Sequence, residues 1–483
     1  MALKKILIIG DGPSAVSFAQ QACTGDHKII LMSAGKVNEE SHFSKKNPKN
    51  SLRPWKFSPS SGSKSSINVK NNFFYYDFKG PGGLSNSWGA GCSKINHNDI
   101  GVNLDFVEKL DPYYDLCEER IGLTSYGSDG LDDYLGKFNQ TSKHVNINPR
   151  FEFKQMSNSN ITLGFTRQAI TTVDKSENRK ACINCEGSFT NCEKGSIYNA
   201  KNCLKDFVEK IDLIEESYAN NIEKTENGYL IRYMRRNREE TIETEILILA
   251  SGPVETSKLI HSLLSAQEEK YQEMHLKLNH NPMTRLFFFS FRKNIENNFP
   301  AGQIVGRIKY TNDESFYLSL VDGVSIPTSD IMLNSPFKNK FIYKIIDIIK
   351  KYLVFGFVFF SSDHSDVEIN INSKSISIEQ NEERKISSLI SFSRKIIRKF
   401  FINNGLLLMP KVLSYMTPGS DLHLGSVFPI GKKKYLNVDE NCNLNGMKDL
   451  YIVDGSWLPR VPEKPHTFTL MANAVRVADY ING

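Results

Sequence analysis

Residues 5–19 read KILIIGDGPSAVSFA, and this stretch decides the fold class. The apolar residues 6–9 run directly into a G-x-G-x-x-A pattern formed by Gly10, Gly12 and Ala15. In such a pattern the first glycine permits a tight turn, the second lets a pyrophosphate approach the backbone, and the alanine lets the following helix pack closely. The position of the pattern, between a buried strand and a helix, predicts a dinucleotide-binding turn in a Rossmann-like sheet.

The second strand of this unit ends without the acidic residue that usually bonds the ribose. The stretch IILMSAG, residues 29–35, offers Ser33 instead, and a hydroxyl lacks the charge-assisted hydrogen bond of a carboxylate. We therefore expect Ser33 to be a weaker ribose contact, or the ribose to be held elsewhere. Pro13 and Ser14, in the turn itself, are expected to contact the dinucleotide.

Composition places limits on the class of protein. A chain of 483 residues predicts two intimately connected domains, and a net charge of +6 does not indicate a nucleic-acid surface. The apolar stretch behind the basic MALKK segment ends at Gly10, so no secretory signal is predicted. We expect a cytoplasmic protein whose cysteines are thiols or metal ligands rather than disulfides.

A change of pattern near residue 285 predicts a second, inserted domain. From there to about residue 378, aromatic and β-branched residues alternate, as in a mostly antiparallel sheet. Two basic and apolar stretches, 341–360 and 386–402, are predicted to be amphipathic helices packed on that sheet. The alternative is a surface that rests on a membrane or docks a partner.

Three further stretches point to a family. They are GPGGLSNSWGAGC (80–92), EILILASGPVETSKLI (245–260) and a C-terminal segment (450–481) with D-G-S, prolines and T-x-T-L-M-A at the start of a helix. Together with the N-terminal turn they resemble the glucose–methanol–choline (GMC) oxidoreductases, flavoproteins that oxidise alcohols with FAD. The stretch DLHLGSVFPIG (421–431) is most similar to the pyranose oxidases of this family, and the cysteine-rich segment 181–200 resembles that of some flavin-dependent sugar dehydrogenases.

The resemblance implies an α/β fold: a Rossmann-like FAD-binding domain with an inserted α+β substrate domain on a mostly antiparallel sheet. The predicted boundaries are 1–135, 201–284 and 410–483 for the FAD-binding domain, 136–200 for an excursion with a cysteine-rich segment, and 285–409 for the substrate domain. Besides the residues of the first turn, it implies FAD contacts from Gly82, Gly83, Ser85, Asn86, Trp88, Gly89, Ala250, Gly252, Asp454, Gly455, Thr467 and Phe468. FAD is expected to be non-covalent, because Ser87 stands where some members carry a flavin-linking histidine.

Two histidines are the candidate catalytic residues. The stretch DLHLGSVFPIG (421–431) resembles the family at H-L-G, which makes His423 the expected base, and His466 precedes the T-x-T-L-M-A helix as a positioning donor. A neutral imidazole suits removal of a hydroxyl proton while a hydride leaves the same carbon for the flavin. The resemblance implies a carbinol of a sugar or polyol, oxidised with an electron acceptor that the sequence does not name.

Two other classes of function stay open at this point. One is a flavoprotein reductase or isomerase that does not oxidise an alcohol, and the other is a degenerate, non-catalytic scaffold. An NAD-dependent dehydrogenase ranks below both, because the C-terminal D-G-S and T-x-T-L-M-A segments are not shared with that class.

The cysteine-rich segment ACINCEGSFTNCEKGSIYNA (181–200) has three interpretations. Cys182, Cys185 and Cys192 fit three positions of the ferredoxin run, and Ser188 occupies the other. An iron–sulfur cluster would make the protein an electron-relaying dehydrogenase, whereas zinc would need Cys203 as a fourth ligand. The third interpretation is a loop with free thiols.

Overall fold

The computed structural model describes most of the chain. The residues that it does not describe are 1–2, 38–66, 71–72, 77, 87, 126–128, 140–152, 184–191, 292–303, 325, 327, 329–330, 332–339, 382–385 and 411–415. The predicted metal ligand Cys185 and the position of Ser87 therefore lie outside the described residues.

The strands are numbered in chain order. They are β1 (Lys5–Ile9), β2 (Lys28–Met32), β3 (Ile67–Val69), β4 (Gly91–Cys92), β5 (Ile161–Phe165), β6 (Arg167–Gln168), β7 (Asp212–Ile214), β8 (Ser217–Lys224), β9 (Tyr229–Arg235), β10 (Arg238–Thr244), β11 (Ile246–Leu249), β12 (Glu273–Lys277), β13 (Met283–Ser290), β14 (Ile304–Lys309), β15 (Ser315–Asp322), β16 (Leu353–Phe359), β17 (Val367–Asn372), β18 (Ile376–Gln380), β19 (Leu406–Leu408) and β20 (Leu450–Ile452).

The α-helices alternate with these strands mainly in the first and last parts of the chain. They are α1 (Pro13–Ala22), α2 (His97–Ile100), α3 (Leu104–Glu108), α4 (Asp111–Ile121), α5 (Asp132–Leu135), α6 (Ala200–Lys205), α7 (Pro253–Ser265), α8 (Lys340–Ile349), α9 (Ile386–Asn403) and α10 (Thr467–Asn482).

A five-stranded parallel sheet, in the order β20-β11-β1-β2-β7, forms the Rossmann-like half that the sequence predicts. Its central strands are continuous apolar runs because helices cover both faces of such a sheet. Gly10 ends β1 with a φ of +114°, and a Cβ there would lie 2.3 Å from the carbonyl oxygen of Ala250. Only glycine lets the ends of β1 and β11 approach this closely.

A six-stranded antiparallel sheet, in the order β19-β13-β16-β15-β14-β5, forms the second half. Alternate residues of its strands, such as Leu286 and Phe288, pack with Ile397, Phe400 and Phe401 of α9 in one apolar core. The residues between them face the other way. One face of this sheet is therefore covered by α9. The opposite face is partly covered by α5, and the rest of it borders a cavity.

The prediction of a packed amphipathic helix is confirmed for 386–402, which forms α9, but is wrong for most of 341–360. That stretch divides into α8, a turn of 3-10 helix (Lys350–Tyr352) and β16. In the sequence LVFGFVFF (353–360), aromatic and β-branched residues surround Gly356, and this composition favours a strand over a helix. The pairing of β16 with both β13 and β15 decides between them.

Helix α8 exposes an apolar stripe that includes Phe341, Ile348 and Ile349. Contact of this stripe with a membrane or a partner stays a prediction. Of the helices in the described ranges, none combines the length and the apolar character that crossing a membrane requires.

The antiparallel region extends beyond its predicted limits. β13 begins at Met283, and β5, inside the predicted excursion 136–200, pairs with β14 in the six-stranded sheet. A separate sheet in the order β12-β17-β18-β3 also joins distant parts of the chain. These pairings are long-range, so short-range patterns do not reveal them. The predicted helix start at Thr467 is confirmed.

Candidate active site

A cavity of about 740 Å³ lies where the two halves meet, at the carboxyl ends of the parallel strands. The turn after β1 lines one end of it, and His423 and His466 line another part. The face of the six-stranded sheet that α9 leaves free forms a third wall. Crevices at the carboxyl ends of parallel strands are the usual ligand sites of α/β folds.

Most of the predicted cofactor contacts lie on this cavity, although the sequence spreads them over more than 400 residues. The lining includes Gly10, Gly12, Pro13, Ser14, Gly83, Ser85, Trp88, Gly89, Ala250, Gly252, Asp454, Gly455 and Thr467. Four predicted contacts are not on it, namely Ser33, Gly82, Asn86 and Phe468.

Each of the four has another structural task. Phe468 is buried and stacks on Tyr114, with ring centroids 5.4 Å apart. The side-chain amide of Asn86 donates to the carbonyl oxygens of Pro81 and Gly83 at 2.9 and 2.7 Å, which shapes the loop from within. The other two, Ser33 and Gly82, act through Asp11.

Asp11 supplies a carboxylate beside the end of β2, where an acidic residue is expected and Ser33 is found. The Ser33 hydroxyl is fully buried and donates to Asp11 Oδ2 at 2.6 Å, and the Gly82 amide also donates to this carboxylate. Burial raises the pKa of Asp11 to about 6, although the hydrogen bonds from Ser33 and Gly82 lower it. Because β1 and β2 are parallel neighbours, Asp11 and Ser33, which lie just beyond the ends of these strands, are close together. The Ser33 hydroxyl therefore makes its hydrogen bond within the protein.

Three glycines leave open space at the nucleotide end, which is the end of the cavity lined by the turn after β1 and predicted to bind a nucleotide. A Cβ added at Gly12, Gly89 or Gly252 would have no atom within 4 Å, and all three glycines line the cavity. Glu255, also on the lining, accepts hydrogen bonds at Oε2 from Tyr218 and, at 2.8 Å, from Lys258. Its buried Oε1 has no hydrogen-bond partner in the described part of the chain.

The Asp454 carboxylate connects the segment after β20 to the start of α7. Its Oδ2 accepts from the Gly252 amide at 3.0 Å and from the Thr256 hydroxyl at 2.6 Å. Its Oδ1 accepts from the Ser456 amide at 2.9 Å. The D-G-S segment is thereby tied to the start of α7.

Hydrogen bonds determine which nitrogen of His423 carries a proton. The side-chain amide of Asn281 donates to the carbonyl oxygens of Phe360 and Val461 at 3.1 and 3.3 Å, so its Oδ1 is left as an acceptor. That oxygen lies 3.0 Å from His423 Nδ1. Nδ1 therefore carries the proton of the neutral ring, and the lone pair is on Nε2.

A buried Asp421–His280 pair supports this arrangement. Asp421 Oδ2 accepts from the amides of Asn281 and His423 at 2.9 and 3.1 Å, and Oδ1 lies 3.2 Å from His280 Nδ1. Burial alone would raise the pKa of Asp421, but the neighbouring His280 and His423 hold this pKa below its ordinary value. The carboxylate thus stays ionised and fixes the backbone beside His423.

The two catalytic candidates lie against each other, as the sequence predicts, with ring centroids 4.9 Å apart and ring planes at 77°. Burial lowers the pKa of His423 below 6.5, helped by His280 and opposed by Asp421. Burial, with the charge of His423, lowers the pKa of His466 to about 3. Both rings are therefore neutral near pH 7, which a proton acceptor requires.

A buried ion pair anchors the loop that carries His466. Lys464 Nζ is fully buried, lies 2.7 Å from Asp99 Oδ2 and also donates to the carbonyl oxygen of Tyr134. Next to it, Glu463 accepts from the Tyr134 hydroxyl at 2.8 Å. The loop between β20 and α10 is thus attached to α2 and α5.

Several residues that shape the site were not predicted, among them Asp11, Glu255, Asn281 and Asp421. Asp11 lies inside the glycine pattern and Asp421 lies two residues before His423, so each could have been found from its neighbours in the sequence. Asn281 comes from a strand connection about 140 residues before His423, and only the fold brings them together.

The metal predictions find no support in the structure. Among the described residues there is no group of three or more His, Cys, Asp or Glu side chains that could hold a metal ion. Cys203, the proposed fourth zinc ligand, is buried, and burial raises the pKa of its thiol to about 11, which disfavours the thiolate. Cys182 and Cys192 are both half-buried.

Comparisons with known proteins place the fold only. No protein-family model matches the chain, and no curated protein matches it. Among solved structures it is similar to pyridoxine 4-oxidase from Mesorbium loti, with a TM-score of 0.64 and 12% identity over 99% of each chain. This likeness shows the α/β fold, with its parallel sheet and antiparallel second half.

Proposed function

We propose that this protein is an FAD-dependent oxidoreductase of the GMC type, which oxidises the CH–OH group of an alcohol. The observation that carries the proposal is the position of His423. Its Nδ1 is held by Asn281, and its ring lies on the same cavity as the glycine turn of the nucleotide end. A base and a dinucleotide site that share one cavity are what oxidation of a bound alcohol needs.

The residues at the nucleotide end fit FAD. The open space at Gly12, Gly89 and Gly252 would take a pyrophosphate against the backbone, and the start of α1 would present amide N–H groups to it. Asp11 and the unpartnered Glu255 Oε1 are carboxylate acceptors for ribose hydroxyls. When bound, the flavin supplies the acceptor for a hydride.

The chain's own residues would remove the proton. His423 Nε2 accepts the proton of the alcohol hydroxyl, while the C–H hydride leaves the same carbon and a carbonyl group forms. His466, neutral and adjacent, orients the hydroxyl oxygen. The buried Asp421 carboxylate favours the protonated ring that results from this step.

The substrate class implied by the resemblance, a sugar or polyol, has little support in the cavity lining. The sheet wall presents mainly aromatic and aliphatic side chains, which do not replace the water bound by several hydroxyls. Pyridoxine 4-oxidase is named for the oxidation of pyridoxine, so pyridoxine is one alcohol to test. The reductase, isomerase and scaffold alternatives gain no specific observation.

Replacing Gly12 by valine should separate cofactor binding from folding. The backbone of Gly12 has φ −72° and ψ −177°, which valine adopts, and a Cβ there has no atom within 4 Å. We expect Gly12→Val to weaken FAD binding by about 5- to 150-fold, the factor given by a steric cost of about 1–3 kcal/mol. Titration of the apoprotein with FAD, followed by flavin fluorescence, measures it.

Gly10→Ala is the matched comparison. Its Cβ would strike the Ala250 carbonyl oxygen at 2.3 Å, so this variant should lose fold and cofactor together. Gly12→Val with normal FAD affinity would argue against a cofactor at this turn.

The pH dependence should report on His423. Since burial lowers its pKa below 6.5, kcat/KM for an alcohol should stay constant on descending from pH 8 and fall only below pH 6.5. Asn281→Asp places a carboxylate against Nδ1 and should move this acid limb up by about 1 pH unit or more. A limb that does not move in Asn281→Asp, with the flavin still bound, would mean that another group titrates.

A further inference from the structure

We infer that the alcohol carries an extended apolar group, which lies in a slot along the six-stranded sheet. This inference rests on the proposed function and names its substrate class. The slot is the part of the cavity that begins at His423 and follows the free face of β13, β16 and β15.

The strand register builds the slot from three rows of side chains. The rows are Met283, Phe359 and Tyr317, then Arg285, Phe357 and Ser319, then Phe355 and Val321. The first row adjoins the catalytic pair, because Phe359 stacks on His423 with ring centroids 5.6 Å apart. Phe359 of the first row and Phe355 of the third are four steps apart along β16, so the slot runs for about 13 Å away from His423.

Apolar side chains make up most of the slot, and its polar members in the second row are Arg285 and Ser319. A phenylalanine of β16 stands in every row, and Ile326 and Ile331 add aliphatic surface near the third row. The guanidinium of Arg285 lies 6.0 Å from the ring centres of both Phe287 and Phe357, so its cation is packed between aromatic rings. The Tyr317 hydroxyl bonds to Thr166.

This lining favours an apolar substrate over a polyol. Each hydroxyl buried without a partner lowers affinity by about 5- to 150-fold, whereas each buried methylene raises affinity by about fourfold. A primary alcohol with an alkyl or aryl tail would place its carbinol at His423 and its tail across the rows. A sugar would have to bury several hydroxyls against Phe357 and Phe355.

A homologous series of primary alcohols tests the inference. Anaerobic reduction of the bound flavin is followed with 1-butanol to 1-decanol, benzyl alcohol, pyridoxine, glycerol and glucose. We expect kcat/KM to rise by about fourfold for each added methylene until the tail fills the slot. If no alcohol reduces the flavin, the proposed function fails. If glycerol or glucose reduces it more efficiently than 1-octanol, only the apolar inference fails.

Variants of the third row should change the series. Phe355→Ala removes the distal aromatic surface and should flatten the rise for the longer alcohols, and Val321→Phe should end the rise at a shorter chain. Phe291→Ala is the matched control, since Phe291 is an exposed residue just beyond β13 and outside the lining, and it should leave the series unchanged. Flavin content per chain checks that each variant is folded.

Two results would contradict the inference that the slot holds an apolar group. One is a series that Phe355→Ala and Val321→Phe leave unaltered. The other is faster reduction by 4-(hydroxymethyl)benzoate than by benzyl alcohol, because Arg285 would then receive an anion where we infer an apolar group.

Discussion

Replacing His423 by alanine should reduce the rate of alcohol oxidation by about 10²- to 10⁴-fold, the range that a general base contributes. The reason is that Asn281 leaves Nε2 of this ring as the proton acceptor on the cavity. The rate of flavin reduction by 1-octanol in the absence of oxygen, under saturating conditions, gives the measurement. FAD binding should persist, since the glycine turn and Asp11 belong to other elements.

His275→Ala is the control for loss of a histidine as such. His275 is exposed on β12 and its Nδ1 lies 2.6 Å from the side-chain oxygen of Asn370, outside the cavity. This variant should oxidise alcohols at the rate of the unmodified protein. Full activity of His423→Ala would assign the base elsewhere and remove the main support for alcohol oxidation.

Lys464→Met should lower the free energy of unfolding by about 3–5 kcal/mol, the cost of breaking a buried ion pair by removing one partner. The substitution leaves the Asp99 carboxylate, 10% exposed, and the Tyr134 carbonyl oxygen without the ammonium group that bonds both. Urea denaturation of the apoprotein, followed by circular dichroism, measures the loss.

Lys28→Met is the matched surface substitution. Lys28 pairs with Asp212 at 2.9 Å, but both side chains are more than half exposed, so the change should be about 0.5 kcal/mol or less. Equal effects of the two substitutions would show that the Lys464 pair does not anchor the loop of His466.

The fold was predictable where local patterns suffice. The apolar run before Gly10 and the helix start at Thr467 each depend on neighbouring residues, and both are confirmed. The stretch 341–360 was mispredicted because an apolar run fits a helix or a buried strand equally well. Pairing of β16 with strands from elsewhere in the chain settles it, and that information is not local.

The candidate site was predictable in its histidines and glycines but not in the groups that control them. Ser33 was expected to be a weaker ribose contact or to leave the ribose to other groups, and its hydroxyl donates to Asp11. The sequence does not show which way a hydroxyl at a strand end turns. Asn281 determines the tautomer of His423 across about 140 residues of chain. Such partners become visible only when the sheet has placed both strands.

We propose that one cavity holds FAD beside His423, the base that accepts the proton of the alcohol. Mixing the FAD-loaded protein with 1-octanol under anaerobic conditions tests it most directly, with flavin absorbance and aldehyde measured together. We predict loss of oxidised-flavin absorbance, one aldehyde per flavin, and a slower rate with 1,1-dideuterated 1-octanol, because a C–H bond breaks. Flavin that stays oxidised with 1-octanol and with every other alcohol of the series would contradict the proposed function.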